Sequence, residues 1–168
     1  MRFLYEPLNP ADMPFQIPDS WVWTTLGDLS LITTGTKDAN EGDPQGEYDF
    51  FTCALVPIKS KSYSFDGEFL ILPGNGVNVG KCIHYEGKFE AYQRTYVVQC
   101  YELFMKYIYY VIMLKWERYN QDKLFGSAIP YIKLSNLEKF PIPLPPVEEQ
   151  KRIVYKLEEF MALIDCLT

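Results

Sequence analysis

Three short stretches of this 168-residue chain carry side chains able to recognise or transform another molecule. The first, LPGNGVNVGK, runs from Leu72 to Lys81. A phosphate loop of the form G-x-x-x-x-G-K needs glycine at 75 and a hydroxyl after the lysine; Asn75 and Cys82 stand there instead. A G-x-G-x-x-G fingerprint fails too, because Val79 occupies its last position. The glycines read better as a tight strand connection in which Gly74, Gly76 and Gly80 supply unusual φ values. Such a turn pushes Asn75, Asn78 and Lys81 outward, where asparagine suits adenine and lysine suits phosphate or guanine.

The second stretch, AYQRTY, places Gln93 and Arg94 among aromatics. Read as a strand, it puts Tyr92, Arg94 and Tyr96 on one face and Gln93 and Thr95 on the other. Arginine on guanine and glutamine on adenine are common major-groove contacts. An ion pair between Arg94 and Glu90 accounts for the arginine equally well. The third stretch is KSKSY, where Lys59, Lys61, Ser62 and Tyr63 give two cations and hydroxyls suited to phosphate. A solvated loop explains the same composition. Thr36 and Lys37, after Gly35, are weaker candidates of the same kind.

Catalysis finds little support. The single histidine, His84, lies two residues from Cys82, so on a strand both share a face. A Cys–His nucleophile would also need an orienting group and an oxyanion site. One histidine and four scattered cysteines make a poor zinc site, so neither metal nor cofactor is expected.

The positioning elements follow from pattern. Residues 1–17 read as an arm broken by Pro7, Pro10 and Pro14, and residues 36–47 as a polar loop. Strands are expected at 21–26 and 29–34, with a turn between them, then at several short apolar runs from 48 to 99. The segment LFMKYIYYVIMLKWERYNQ has no Gly or Pro and is apolar nearly all round, predicting a largely buried helix. Another strand is expected at 126–134 and a helical turn at 135–139. Pro141, Pro143, Pro145 and Pro146 then form a stiff extended connector that holds the C-terminal segment away from the sheet.

Pro146, Glu148 and Glu149 suit the first turn of a final helix. Its apolar residues recur at 153, 154, 157, 160, 161, 164 and 167, one helical face, and Gln150 interrupts the series. Ile153, Leu157, Phe160, Met161 and Ile164 are the expected subunit interface. The fold class expected is α+β: a β-rich globular domain, a proline spacer and a long C-terminal helix.

Composition bounds the rest. With 48% apolar and 16% aromatic residues, the chain folds rather than remaining disordered. Its longest uncharged stretch inside the long helix, 107–114, is too short to span a bilayer, and MRFLYEPLNP has no signal-peptide core. Cys53, Cys82, Cys100 and Cys166, with no C-x-x-C pair, read as free thiols in a reducing cytoplasm. The net charge of −6 is unevenly spread. Residues 1–50 hold two basic and nine acidic groups, residues 51–133 ten and seven, and residues 134–168 four and six. Phosphate attraction follows local potential, so the middle segment is the only plausible face for nucleic acid, provided its lysines are not consumed in internal ion pairs.

Gly126, Ile129, Ile132 and Leu137, followed by PIPLPP and E-Q-x-x-I (Glu149, Gln150, Ile153), resemble type I restriction–modification specificity subunits. The front, IPDSWVWTTLGDLSLITTGT, with Pro18, Trp21, Trp23, Leu26, Gly27 and Gly35-Thr36, is similar to the opening of their target recognition domains. The resemblance covers about residues 14–168. It implies sequence-specific binding of double-stranded DNA with no chemistry, which belongs to separate modification and restriction subunits. It also implies an arm at 1–17, a recognition domain at 18–140, a connector at 141–146 and a spacer helix from 147 to 168. That helix would pair with a second recognition domain in the same chain or with a homodimer partner, so a single copy is expected to be a half-length subunit or an excised domain. The rival readings are a protein-interaction module without DNA binding and a small Cys/His hydrolase.

Overall fold

A computed structural model describes residue 13 and residues 15–120, 124–126 and 129–166. Most of the expected arm, and the end of the last helix, lie outside the described residues.

The proline run is extended, as its fixed φ demands, but it is not a spacer. Strand β8, Pro141–Leu144, pairs antiparallel with β1, Val22–Thr25, placing Val22 opposite Leu144 and Thr25 opposite Pro141. Prolines 141 and 143 alternate with Ile142 and Leu144, so the missing N–H groups fall on one edge and the pairing survives. The Tyr107 hydroxyl donates to the Pro143 carbonyl. Thr25 caps a one-turn helix α1, Leu26–Leu29, accepting from the Asp28 N–H at 3.2 Å, and the Leu26 N–H donates to the Phe140 carbonyl at 2.9 Å. Front and back of the chain are thus sewn together.

The second sheet has six strands: β2 (Ser30–Thr34), β3 (Tyr48–Phe51), β4 (Ile58–Ser60), β5 (Phe65–Pro73), β6 (Ile83–Ala91) and β7 (Thr95–Cys100), in the order β2-β7-β5-β6-β3-β4. All pairs are antiparallel except β3 with β6. Strand β5 is buried on both faces at its end, and the alternation separates two cores. Leu70 and Leu72 join Val98 under a helix α2, Met105–Asn120, against Ile108, Ile112 and Trp116. Phe69 and Ile71 face the other way, into a cluster with Phe51, Phe89, Ala91 and Val97.

The register forces this sheet to curl. Phe65 at the start of β5 sits opposite Phe89, near the end of β6, whereas Pro73 at the far end of β5 sits opposite Thr95, the start of β7. Nine extended residues reach roughly 27 Å. Only four peptide steps separate Ala91 from Thr95, at most about 15 Å. The β5–β6 ribbon therefore folds back on itself. Gly67 and Gly87 stand directly opposite one another in it, with φ of 132° and 134°, values that a side-chain-bearing residue rarely adopts.

Helix α2 is less enclosed than its apolar sequence suggests, since Met113 and Leu114 are exposed. The strand expected at 126–134 is absent among the described residues; bridges from Tyr131 to Asn75 and to Phe125 stand in its place. A helix α3, Leu134–Glu138, precedes the prolines as expected. The last helix, α4, Val147–Asp165, docks by its first half. Val154 is fully buried, and Lys106 reaches Glu158 at 2.9 Å. Gln150, which interrupts the apolar series, is a buried clasp: its Oε1 accepts from the Phe104 N–H at 3.3 Å and its Nε2 donates to the Pro145 carbonyl at 3.0 Å. Ile153 and Leu157 are half-buried, while Phe160, Met161 and Ile164 are exposed.

Replacing Gln150 by Ala strands the buried Pro145 carbonyl and the partly buried Phe104 N–H, and a buried group left unpaired costs about 1–3 kcal/mol. Denaturant unfolding of Gln150→Ala should show a loss of about 2–4 kcal/mol at unchanged m-value; a loss within experimental error would mean α4 is not clasped there.

Candidate nucleic-acid interface

Because β6 must reach β7 around the end of β5, Tyr92–Arg94 is a reverse turn and not the strand expected from AYQRTY. The Thr95 N–H closes it on the Tyr92 carbonyl at 2.8 Å. Three neighbours fix it: Tyr92 N–H donates to Phe51 O at 2.9 Å, Gln93 N–H to Lys37 O at 3.0 Å, and Gly74 N–H to Arg94 O at 2.9 Å. The two-faced alternation therefore does not apply, and Gln93 and Arg94 both stand exposed at the apex. The Gln93 amide donates to the Asp38 carboxylate.

The glycine turn lies alongside. Gly76 and Gly80 have φ of 83° and 95°, as expected; Gly74 does not, and is needed because a Cβ there would meet the Arg94 carbonyl oxygen at 2.4 Å. Gly76 N–H donates to Pro130 O at 2.8 Å and Ile132 N–H to Gly74 O at 3.0 Å, which anchors the turn on the 129–133 segment. Lys81 is exposed, but Asn78 is not aimed outward: its Nδ2 donates to the Cys53 carbonyl at 2.9 Å. Asn75, Gln93 and Arg94 share one hollow of about 210 Å³ with Thr34, Tyr96 and Tyr131.

The lysines divide into two kinds. Lys37 serves the fold: its Nζ lies 3.6 Å from the buried Glu90 carboxylate and donates to Ser60 and Ser62 at 3.1 and 2.7 Å. A buried carboxylate needs such a counter-ion, and it is Lys37, not Arg94, that pairs with Glu90. Lys59 is tied to Asp49 at 2.8 Å and Lys61 to Asp43 at 2.6 Å. Hydrogen bonds from Lys61 and Lys59 hold the Asp43 and Asp49 carboxyls below the usual range. These lysines are not the free cations the sequence suggested. Both pairs are solvent-exposed, and such pairs contribute only about 0–1 kcal/mol, so a phosphate can displace them with little loss. The Tyr63 ring is 4.8 Å from Tyr48 and lies under Lys88 at 4.7 Å.

Among the described residues, Lys81, Arg94 and Lys133 are cations near this end for which no carboxylate lies within ion-pair distance; Lys133 sits over the Phe125 ring at 4.0 Å. The structure thus gathers Thr36, Lys37, Asn75, Gln93 and Arg94 around one turn. It leaves Lys59, Lys61, Ser62 and Tyr63 on the neighbouring β4 side. Sequence reasoning missed Tyr131 and Lys133, since their place depends on backbone bridges to Asn75 and Phe125 that carry no local signal.

The chain spans between a third and about two fifths of the relatives it matches. The profile of the type I restriction modification DNA specificity domain matches residues 18–168. The chain is 34% identical over 151 residues to the type I restriction enzyme EcoDI specificity subunit of Escherichia coli, covering 89% of this chain and 33% of that protein. It is 28% identical to the MjaVIII specificity subunit of Methanocaldococcus jannaschii, covering 98% and 41%. Among solved structures, the type I restriction–modification S subunit from M. genitalium superposes with a TM-score of 0.73 at 20% identity, over 91% of this chain and 42% of that one.

Nucleophilic chemistry has no foothold at the one Cys–His pair. Cys82 is buried, and burial pushes its thiol far above the ordinary range; Cys100 is pushed up to about 12 by the same cause. His84 is engaged by Glu68 at 2.7 Å. A protonated buried thiol is neither nucleophile nor ready target. At pH 8, iodoacetamide should modify exposed Cys166 in the native chain and Cys82 roughly tenfold or more slowly, by mass spectrometry; equal rates would show Cys82 to be an accessible thiolate.

Proposed function

Because the chain belongs to the type I restriction modification DNA specificity domain family, we propose that it reads a short half-site of double-stranded DNA through the end of the curled sheet that carries the 92–94 turn. The observation that carries this reading is Arg94, exposed on a turn locked by three backbone bonds and without a carboxylate partner among the described residues. An arginine presented rigidly and unpaired is suited to bidentate contact with guanine. Asn75 and Gln93 share its hollow and take neighbouring base edges, and Thr36 and Tyr92 flank them. Lys81 and Lys133 hold phosphates; Lys59 and Lys61 join them by exchanging Asp49 and Asp43 for phosphate, with Ser62 and Tyr63 beside them. Lys37 and Asn78 position these loops.

The chain itself performs no reaction in this reading, requires no cofactor and works in the cytoplasm. Among the described residues no helix is long and apolar enough to cross a membrane. Residues 18–140 act as the recognition domain. The helix from 147 carries the link to modification and restriction subunits, and to a second recognition domain or a second copy. Its exposed Phe160, Met161 and Ile164 support that link, because an apolar stripe left in water favours a partner. A protein-interaction surface therefore accompanies the DNA role and does not replace it.

Binding to duplex DNA should weaken steeply with added salt, since each neutralised phosphate adds about 0.9 to the logarithmic slope. Arg94→Ala should cost about 10- to 100-fold at one preferred base pair and little on unrelated duplexes; equal loss on every sequence would reject base readout. The double change Asp43→Asn, Asp49→Asn releases Lys61 and Lys59 and should raise affinity on all sequences alike; unchanged affinity would deny those lysines a phosphate role. Met161→Asp with Ile164→Asp should abolish self-association in sedimentation, and persisting dimers would move the interface elsewhere.

A further inference from the structure

Val77 is 92% exposed at the apex of the glycine turn and borders a hollow that holds two cations, Lys81 and Arg118, one carboxylate, Glu117, and the apolar Leu114. Neither the core nor the base contacts assigned to Arg94, Asn75 and Gln93 use it. A bare valine on a mobile loop would mean little, but this one is held. The Val79 N–H closes the turn on the Gly76 carbonyl at 3.2 Å, and the Lys81 N–H closes the next on the Asn78 carbonyl at 3.0 Å. Asn78 Nδ2 ties the turn to Cys53 O on one side, and the Gly76 N–H ties it to Pro130 O on the other. Gly80 stands against the buried Trp116 indole, where an added Cβ would come within 3.1 Å of the ring.

The side chain has its own stiffness, because a β-branched residue has few χ1 choices to lose on contact. The loop joined to it through Asn78 also presents Leu55 and Val56, the latter 77% exposed. Lys81 comes four residues later, and the Arg94 carbonyl receives the Gly74 N–H at the base of the same turn. The arrangement is a rigid apolar tip beside Lys81 and Arg118, two cations against the single carboxylate of Glu117. Phosphate attraction places such a tip at a groove. On base edges in the major groove, the one apolar feature is the 5-methyl group of thymine.

Resting on the DNA-recognition reading, we propose that Val77 is a specificity-determining residue that packs on a thymine 5-methyl group in the half-site. A protein surface of a modification subunit is the rival occupant, and the charge around the tip favours DNA.

The test uses the 168-residue chain. A preferred duplex is selected from a random pool, and each thymine in it is replaced singly by deoxyuridine, which removes the methyl group and keeps the pairing. One replacement should weaken wild-type binding about fourfold, the effect of one buried methyl. Val77→Ser should bind the thymine and uracil duplexes equally at that position with an unchanged salt slope, whereas Val77→Ile should keep the discrimination. Indifference to every uracil, a selected site without thymine, or discrimination that survives in Val77→Ser overturns the proposal while leaving DNA recognition standing. Val77→Ser that binds DNA as wild type but no longer retains modification subunits assigns the tip to a protein and overturns it too. Failure of the wild-type chain to bind any duplex overturns DNA recognition itself, and this inference with it.

Discussion

The fold-back of the β5–β6 ribbon governs everything at the end of the sheet that carries the 92–94 turn. Without it, the end of β6 and the start of β7 would lie at opposite ends of β5, and four peptide steps could not join them. Gly67 and Gly87, facing each other across the ladder with φ of 132° and 134°, are where the ribbon adopts a backbone conformation that side-chain-bearing residues rarely take. The curl encloses Phe51, Phe69 and Phe89 as a second core. It also brings the 92–94 turn against Phe51, Lys37 and Gly74 at once. Those backbone bonds give Arg94 a fixed base, which a free loop could not provide.

Electrostatics then selects which groups remain available. Lys37 is committed to Glu90, and the Lys59 and Lys61 pairs neutralise β4 in the free protein. Near the turn, Lys81, Arg94 and Lys133 have no carboxylate partner among the described residues, and the Asp38 carboxylate is occupied by the Gln93 amide. This is compatible with the proposed DNA face on an acidic chain: the excess negative charge sits largely in residues 1–50, where Asp38, Asp43 and Asp49 answer specific cations or amides. The exposed ion pairs are weak enough to be exchanged for phosphate, so they keep the unbound surface near neutrality without forbidding contact.

Much of the architecture was legible because it rests on short-range pattern. The gap in Gly and Pro over 105–120 marked α2, and the acidic start after Pro146 marked α4. The glycine-punctuated middle pointed to a sheet. The 92–94 turn was not legible, since Tyr, Gln, Arg and Thr carry no turn signal and the reversal is imposed by the curl. The proline run misled for a different reason: it is extended either way, and only the distant β1 decides whether it is paired. Gln150 read as a flaw because its two partners, Phe104 N–H and Pro145 O, lie outside the helix that carries it. The lysines misled likewise, with Lys37 and Glu90 53 positions apart and joined only by the fold.

DNA meeting the turn-bearing end of the curled sheet is the claim on which the rest stands. Hydrogen–deuterium exchange with and without a selected duplex tests that directly. Slowed exchange in 36–38, 74–81 and 91–95, with α4 unchanged, is the result this structure predicts. Protection confined to α4 or to the β1–β8 pair, with the 92–94 turn exchanging as before, would contradict it.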